Sequence, residues 1–330
     1  MSTADPGRLA AQVAAVTEAG GLGFHAGPAA GAPPTGPGVV RVGLAETGPL
    51  PTHGLDAFDI LLTARADPPA PWVWTPDPRG AAEDLRAAVE RQPIAAAAAC
   101  QVLRMTLKLD LGEALALESL AYSMLLASGG FAAWRAANPP RPRGDDDAPR
   151  VALERTDGAL VIRLTRPAAR NAVDARMRDA LCEALAFAAA DPEGAPVILC
   201  GDGPAFSAGG DLAEFGSADD PGLAHAIRTL RSATAAVAAI APRVTARLHG
   251  ACMGAGIEIP AAAGRIVAAP DVRLRLPEVS MGLIPGAGGT ASIPRRVGRH
   301  RAAWMALSGV DADAATALAW GLVDAVEPPS

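Results

Sequence analysis

The most informative segment of the sequence is Gly250-Ala251-Cys252-Met253-Gly254-Ala255-Gly256-Ile257-Glu258. It follows an apolar run at 243–248 that predicts a strand, and its small residues predict a helix that begins near Gly254 or Ala255. A helix start presents unpaired N–H groups and a partial positive charge, so it can bind an oxyanion. For residues 253–256 alone, tight packing of a helix against a sheet is the favoured interpretation.

Two glutamates change this interpretation. Glu258 and Glu278 both have apolar neighbours in the sequence, and a carboxylate in such surroundings has either a partner or a raised pKa and a function. Pro277 fixes the backbone just before Glu278 and so helps to aim that side chain. One buried glutamate is often a satisfied core acid. Two of them beside glycines and a helix start indicate an acid–base pair.

A second glycine-rich turn, Phe206-Ser207-Ala208-Gly209-Gly210-Asp211, follows a predicted buried strand at 197–200. Adjacent glycines let the backbone approach a ligand closely. An ordinary strand-to-helix loop explains this turn equally well, so the motif is weak by itself.

The composition excludes several classes of function. The chain of 330 residues has a net charge of −6 and no basic tract, which argues against nucleic acid as a partner. Because no apolar run approaches about 18 residues and no signal peptide is recognisable, we expect a cytoplasmic protein without a membrane partner. The five histidines lie far apart, so we expect no metal site. Lys108 is the only lysine, which leaves phosphate contacts to arginine.

The chain divides into three predicted parts. An N-terminal region at 1–138 has candidate strands at 39–44 and 58–63 and a helical block at 81–137. Prolines followed by a charge run predict a linker at 139–150. The remaining core at 151–330 begins with a hairpin around Asp157-Gly158, continues with a helix that Asp174 caps, and has a further helix at 221–240. Strands that alternate with helices predict an α/β domain.

Taken together, these motifs resemble the enoyl-CoA hydratase/isomerase (crotonase) superfamily over essentially all of 151–326. The resembling segments are 166–172, 207–211, 250–258, 277–278, 282–290, 295–298, 308–309 and 321–324. The resemblance implies an α/β fold with a crotonase-like ββα spiral core, here preceded by a mainly helical N-terminal region. It also implies an enzyme that acts on acyl-coenzyme A thioesters, as in fatty acid metabolism, and assembles as a homotrimer or a dimer of trimers.

The resemblance also assigns roles to residues. The backbone N–H groups of Gly210 and Ala255 would form an oxyanion hole. The carbonyl of Ala208 would face the adenine of coenzyme A, and Arg170 is a candidate for its phosphates. Glu258 would deprotonate water for attack on Cβ, and Glu278 would deliver a proton to Cα. No metal or redox cofactor is expected, because coenzyme A enters as part of the substrate.

Several positions depart from the family pattern. Ala255 stands where glycine is usual, Pro260 is expected to kink the helix just beyond Glu258, and residues 263–264 are Ala-Gly where Cys-Asp is common. Family members usually continue for several helices after the segment at 321–324, whereas this chain ends at Ser330. Segments at 91–95, 110–118 and 127–134 resemble those helices. We therefore expect the N-terminal block to replace them, in the same subunit or a neighbour.

Three functions remain open on this evidence. The first is reversible hydration of a 2-enoyl-CoA to a 3-hydroxyacyl-CoA, which both glutamates support. The second is another reaction of the superfamily, by an isomerase, a decarboxylase or a hydroxyacyl-CoA hydrolase. The hydrolase is less favoured, because those members have Pro-Asp where this chain has Pro285-Gly286. The third is an acyl-CoA-binding subunit without catalysis.

Overall fold

The computed structural model describes residues 11–16, 21–140 and 147–328. Its first part is a parallel sheet in the order β1-β2-β3-β4. The strands are β1 (Leu22–Pro28), β2 (Gly38–Ala45), β3 (Ile60–Thr63) and β4 (Val73–Trp74). The apolar runs at 39–44 and 58–63 thus supply β2 and β3, whose residues are mostly buried, as is usual in parallel sheets.

The helical block that follows is divided by local signals. Its helices are α1 (Pro78–Arg91), α2 (Pro93–Thr106), α3 (Leu111–Leu126) and α4 (Gly129–Ala137). Pro93 lies in the first turn of α2, where its missing N–H is not needed. Asp110 and Glu113 form a reciprocal capping box at the start of α3, and Ser128 caps α4.

The larger sheet of the second part begins with the predicted hairpin. Asp157 and Gly158 both have positive φ angles, of 51° and 77°, and join antiparallel strands. The sheet order is β13-β10-β8-β7-β6-β5. Its strands are β5 (Val151–Thr156), β6 (Ala159–Leu164), β7 (Val197–Gly201), β8 (Val244–Leu248), β10 (Arg265–Ala268) and β13 (Ala325–Val326).

The remaining elements surround this sheet. A small sheet has the order β12-β11-β9, formed by β9 (Ala251–Met253), β11 (Arg273–Arg275) and β12 (Ala312–Asp313). The helices are α5 (Ala175–Ala190), α6 (Pro221–Leu230), α7 (Ala233–Ala239), α8 (Ala255–Glu258), α9 (Gly289–Val297), α10 (Arg299–Ser308) and α11 (Ala314–Trp320). The α/β class predicted from the sequence is confirmed.

One helix prediction is correct and another is wrong. The Asp174 side chain accepts a hydrogen bond from Met177 N at 2.8 Å and starts α5, as predicted. The single helix expected over 221–240 is instead the pair α6 and α7. Ser232 breaks it, because its side chain accepts from the N–H of Ala235 and begins a new helix there.

The two parts of the chain share one hydrophobic core. Leu85 and Ala99 of the N-terminal helices belong to the same buried cluster as Ile162 and Leu199 of the larger sheet. The hydroxyl of Thr106 in α2 donates to the carbonyl of Thr290 in α9 at 2.7 Å. The N-terminal region therefore packs onto the core of its own chain.

The predicted linker at 139–150 is described only in part, since residues 141–146 lie outside the described residues. Its last residue, Arg150, is buried and pairs with Asp174 at 2.9 Å. In the described ranges, no single helix has the length and hydropathy of a membrane span. Helices α3 and α4 together have that length and hydropathy, but the chain bends by 63° between them. No cluster of three His, Cys, Asp or Glu residues suited to a metal occurs in those ranges.

Candidate active site

The chain turns sharply from β9 into the short helix α8. Gly254 makes this turn with φ 49° and ψ −120°, a conformation that residues with side chains rarely adopt. A Cβ atom at position 254 would also lie 2.3 Å from Oε1 of Glu278. The helix ends at Glu258, and a 3-10 turn begins at Pro260, which has no N–H to donate. The expected kink is therefore the end of the helix.

Glu258 and Glu278 lie side by side with both side chains buried, at 2% and 6% exposure. Oε2 of Glu258 accepts hydrogen bonds from the N–H groups of Ala287 at 2.7 Å and Gly289 at 2.9 Å. The two carboxyl groups share a side-chain hydrogen bond. Oε2 of Glu278 is buried and has no partner within the described part of the chain. The carboxyl group of Glu258 is thus held by backbone N–H groups, whereas that of Glu278 has one oxygen atom without a hydrogen-bond partner in the described part of the chain.

The surroundings of the pair separate its two pKa values. Burial raises the pKa of Glu258 to about 7, although the hydrogen bonds from Ala287 and Gly289 oppose that rise. Burial, and after it the negative charge of Glu258, raises the pKa of Glu278 well above its usual range. Glu258 therefore loses its proton first, and Glu278 keeps one at neutral pH. Two carboxyl groups in unequal environments can act as a base and an acid.

The turns that carry Gly210 and Ala255 are neighbours. Met253 N donates to the carbonyl of Ser207 at 3.0 Å, and a Cβ atom on Gly209 would lie 3.7 Å from the nitrogen of Ala255. Within the described ranges, the N–H groups of Gly210 and Ala255 donate to no partner. Two neighbouring N–H groups without acceptors can stabilise a carbonyl oxygen that gains negative charge.

Ala208 and Arg170 meet on the same side of this region. The N–H of Ala208 donates to the carbonyl of Arg170 at 2.8 Å. Arg170 adopts the left-handed conformation, with φ 51°, and its side chain is exposed. The adenine and phosphate roles of these two residues stay predictions.

The loop at 212–215 borders the candidate oxyanion site, and a helix of the N-terminal region holds this loop. Arg135 in α4 donates to the carbonyl oxygen atoms of Leu212 and Phe215, both at 2.7 Å. A Cβ atom on Gly210 would lie 2.6 Å from the Phe215 ring, so this ring covers Gly210. Helix α4 therefore holds the loop that carries an aromatic ring beside the candidate site.

Glu118 in α3 is a residue of this site that the sequence analysis missed. It is 2% exposed. Its Oε1 accepts from Gly288 N at 2.6 Å, and its Oε2 accepts from Thr290 N and Thr290 Oγ1, both at 2.7 Å. Tyr122, one helical turn further on, packs against Gly286. The available signal was a glutamate in the middle of a mostly apolar helix, because such a residue needs a partner when it is buried.

The close approach of Glu278 to Gly254 makes a testable prediction. We expect Gly254→Ala to destabilise the protein by about 2–4 kcal/mol, because the new methyl group adds a clash to an unfavourable backbone conformation. Thermal and urea unfolding measure this. The matched control is Gly158→Ala, which has φ 77° but no atom within 4 Å of the new Cβ and should cost only about 1 kcal/mol. Equal losses for both variants would contradict the packing argument.

Comparison with known proteins gives one consistent result. The family profile described as "Enoyl-CoA hydratase/isomerase" matches residues 154–330. A "2,3-dehydroadipyl-CoA hydratase" of Escherichia coli K12 is 35% identical over 177 residues, which are 53% of this chain and 68% of that protein. A "probable enoyl-CoA hydratase" of Mycobacterium tuberculosis is 31% identical over 179 residues, covering 54% of this chain and 68% of that protein.

Solved structures resemble the same part of the chain. An enoyl-CoA hydratase from Thermoplasma volcanium is 33% identical with a TM-score of 0.51, over 55% of this chain and 73% of that one. A putative enoyl-CoA hydratase/isomerase from Mycobacterium abscessus is 35% identical with a TM-score of 0.51, over 54% of this chain and 70% of that one. In each of these comparisons, roughly half of this chain corresponds to about two thirds or more of the other protein.

Proposed function

Because the chain belongs to the enoyl-CoA hydratase/isomerase family, as its motifs predicted, we propose that it catalyses the reversible hydration of a 2-enoyl-CoA thioester to a 3-hydroxyacyl-CoA. The observation that carries this proposal is the contact between two buried carboxyl groups whose pKa values differ, beside two N–H groups without acceptors. Hydration needs one group to take a proton from water and another to give a proton to carbon.

The proposed mechanism assigns these two steps to different glutamates. Ionised Glu258, held by the N–H groups of Ala287 and Gly289, removes a proton from water as its oxygen attacks Cβ. Protonated Glu278 gives its proton to Cα. Negative charge collects meanwhile on the thioester oxygen, and the N–H groups of Gly210 and Ala255 stabilise it. The removal of one such donor typically costs about 3–4 kcal/mol.

The substrate is held, in this proposal, by its coenzyme A portion at Ala208 and Arg170. The carbonyl of Ala208 accepts from the adenine, and the exposed guanidinium of Arg170 contacts phosphate. The methyl group of Ala255 and the ring of Phe215 border the acyl group. Coenzyme A is part of the substrate, so the mechanism uses no further cofactor. As in the family, we propose a homotrimer or a dimer of trimers.

The proposal is tested with a panel of 2-enoyl-CoA thioesters of increasing chain length. The expected result is loss of the conjugated enoyl absorbance together with formation of the 3-hydroxyacyl-CoA, identified by mass spectrometry. Migration of the double bond without water addition would replace hydration by isomerisation. Hydrolysis of the thioester would instead identify a hydrolase, and loss of carbon dioxide would identify a decarboxylase. Binding of every thioester without turnover would leave a non-catalytic acyl-CoA-binding subunit.

The pH dependence of hydration follows from the two pKa shifts. We expect kcat/KM to fall as the pH drops below about 7, because Glu258 must be ionised to accept a proton. It should fall again at alkaline pH, because Glu278 must keep the proton that its raised pKa retains. Burial, and after it the charge of Glu258, also raises the pKa of Glu118 to about 8, so the two limbs belong to the coupled carboxyl groups as a unit. Rates of crotonyl-CoA hydration from pH 5 to pH 10 measure the curve, and a flat profile would contradict the assignment.

A further inference from the structure

The segment of residues 287–290, called the loop below, includes the first two residues of α9 and lies between two buried glutamates from distant parts of the chain. Its successive N–H groups alternate between them. Ala287 and Gly289 donate to Glu258, whereas Gly288 and Thr290 donate to Glu118. Every N–H of the loop is therefore used, and each carboxyl group holds two of them.

The loop has no room for a different arrangement. A Cβ atom on Gly289 would lie 2.7 Å from Cγ of Glu258, and one on Gly286, the residue just before the loop, would lie 2.3 Å from the ring of Tyr122. The loop is thus packed by Glu258 on one side and by α3 on the other. A loop in which only glycine fits at several positions must be held by hydrogen bonds, because it has few side chains of its own to anchor it.

Further contacts between the N-terminal region and the core fix the loop and α3. The hydroxyl of Thr106 donates to the carbonyl of Thr290 at 2.7 Å. Arg228 lies 4.9 Å from the ring centroid of Tyr122 and donates to the hydroxyl groups of Ser119 and Ser123. Helix α3 is therefore anchored in the turn that directly follows Glu118, which holds that carboxyl group in place.

Glu258 depends on the same loop. Its donors in the described part of the chain are the two loop N–H groups, and its other side-chain contact is the hydrogen bond with Glu278. Without Glu118, the N–H groups of Gly288 and Thr290 would be buried without an acceptor, which costs about 1–3 kcal/mol per group. The loop would relieve this cost by turning, and the donors of Glu258 would turn with it.

We propose that Glu118 is a positioning residue for Glu258, and that it acts through the alternating N–H groups of residues 287–290. This inference rests on the proposed function only for its effect on turnover. It gives the N-terminal region a part in catalysis beyond covering the core, because the orientation of the proposed base then depends on a side chain 140 positions earlier in the sequence.

The test compares Glu118→Gln with the wild type in the full-length protein. Glutamine keeps the shape of the side chain but replaces one acceptor oxygen with a donor, so at least one loop N–H loses its partner. We expect residue-resolved hydrogen exchange to become about 10-fold or more faster at residues 287 and 289 as well as at 288 and 290. We expect kcat for hydration to fall about 10- to 100-fold, with little change in KM.

The matched control is Glu113→Gln, on the same helix but in its exposed capping box, where glutamine is also accepted. It should change neither the exchange of the loop nor kcat. Should Glu118→Gln not fold, Thr290→Val removes one hydroxyl bond to Glu118 and should shift both readouts in the same direction by a smaller amount.

Two results would overturn the proposal. If exchange becomes faster at 288 and 290 alone, Glu118 is a local cap of α9. If exchange at 287 and 289 becomes faster while kcat is unchanged, the loop does not orient Glu258 for turnover. A wild type that hydrates no enoyl-CoA would instead refute the proposed function, and the exchange at 287 and 289 would still decide whether Glu118 organises the loop.

Discussion

We expect Glu278→Gln to lower kcat for the proposed enoyl-CoA hydration by about 10³-fold, because glutamine cannot give a proton to Cα and general acid catalysis contributes about 10² to 10⁴. Glu258→Gln should have an effect of similar size, because it removes the proposed base for water. The kcat of the double variant should be little lower than that of either single variant, because the two groups act in one proton-transfer sequence. Steady-state kinetics with crotonyl-CoA measure all three variants.

The control for this series is Glu183→Gln, an exposed glutamate on α5 that should leave kcat unchanged. Retention of at least a tenth of wild-type kcat by Glu278→Gln would show that the proton comes from another donor. If Glu258→Gln loses hydration but still moves the double bond, Glu278 alone suffices for double-bond migration and Glu258 is needed only for the addition of water.

Glu278→Gln should also make the folded protein more stable at alkaline pH. The pKa of folded Glu278 is well above the value of 4.5 that is usual for glutamate, so the folded protein keeps a proton that the unfolded chain releases. Stability therefore falls as the pH rises above about 4.5 and continues to fall until the folded pKa is passed. Glu278→Gln removes this loss, so its unfolding temperature should exceed that of the wild type at pH 9 and differ little at pH 4.5.

Deletion of residues 1–149 should leave a fragment that forms no soluble, active protein. The fragment loses the helices that bury its core, among them α2, in which Ala99 and Leu103 are buried. A fully buried apolar side chain contributes about 1.5–3 kcal/mol, so the loss of many partners exceeds the usual stability of about 5–15 kcal/mol. Expression, size-exclusion chromatography and hydration assays measure the result.

A split chain is the control for this deletion. Residues 1–144 and 145–330, expressed together as separate polypeptides, keep every contact between the N-terminal helices and the core and break only the predicted linker. We expect them to associate and to recover activity. A soluble and active fragment 150–330 would refute our proposal that the N-terminal helices replace the C-terminal helices of family members.

The elements that the sequence predicts well depend on local contacts. Asp157-Gly158 specifies its hairpin because both residues accept positive φ angles, and Asp174 specifies the start of α5 through a bond to a residue three positions away. The break between α6 and α7 was missed, because one serine inside an alanine-rich run is a weak signal until its side chain is seen to cap Ala235.

In the candidate site, too, the sequence predicts the features that depend on neighbouring residues and misses those that depend on distant ones. Glu258 and Glu278 could be predicted because apolar neighbours and nearby glycines surround each of them in the sequence. The partners of Glu118 could not be predicted, because Gly288 and Thr290 are 170 and 172 residues away from it. No periodicity or spacing encodes a contact of that range. Only the packing of α3 against α9 reveals it.

That long-range contact also sets an order of events when the chain is made. During synthesis, α3 leaves the ribosome long before the loop at 287–290 that completes its hydrogen bonds. Until then Glu118 has none of the donors that hold it in the folded state, and the apolar faces of the early helices are exposed to other molecules. Contacts this distant in sequence slow folding, so we expect nascent chains of this protein to depend on chaperones until nearly all of the chain has emerged.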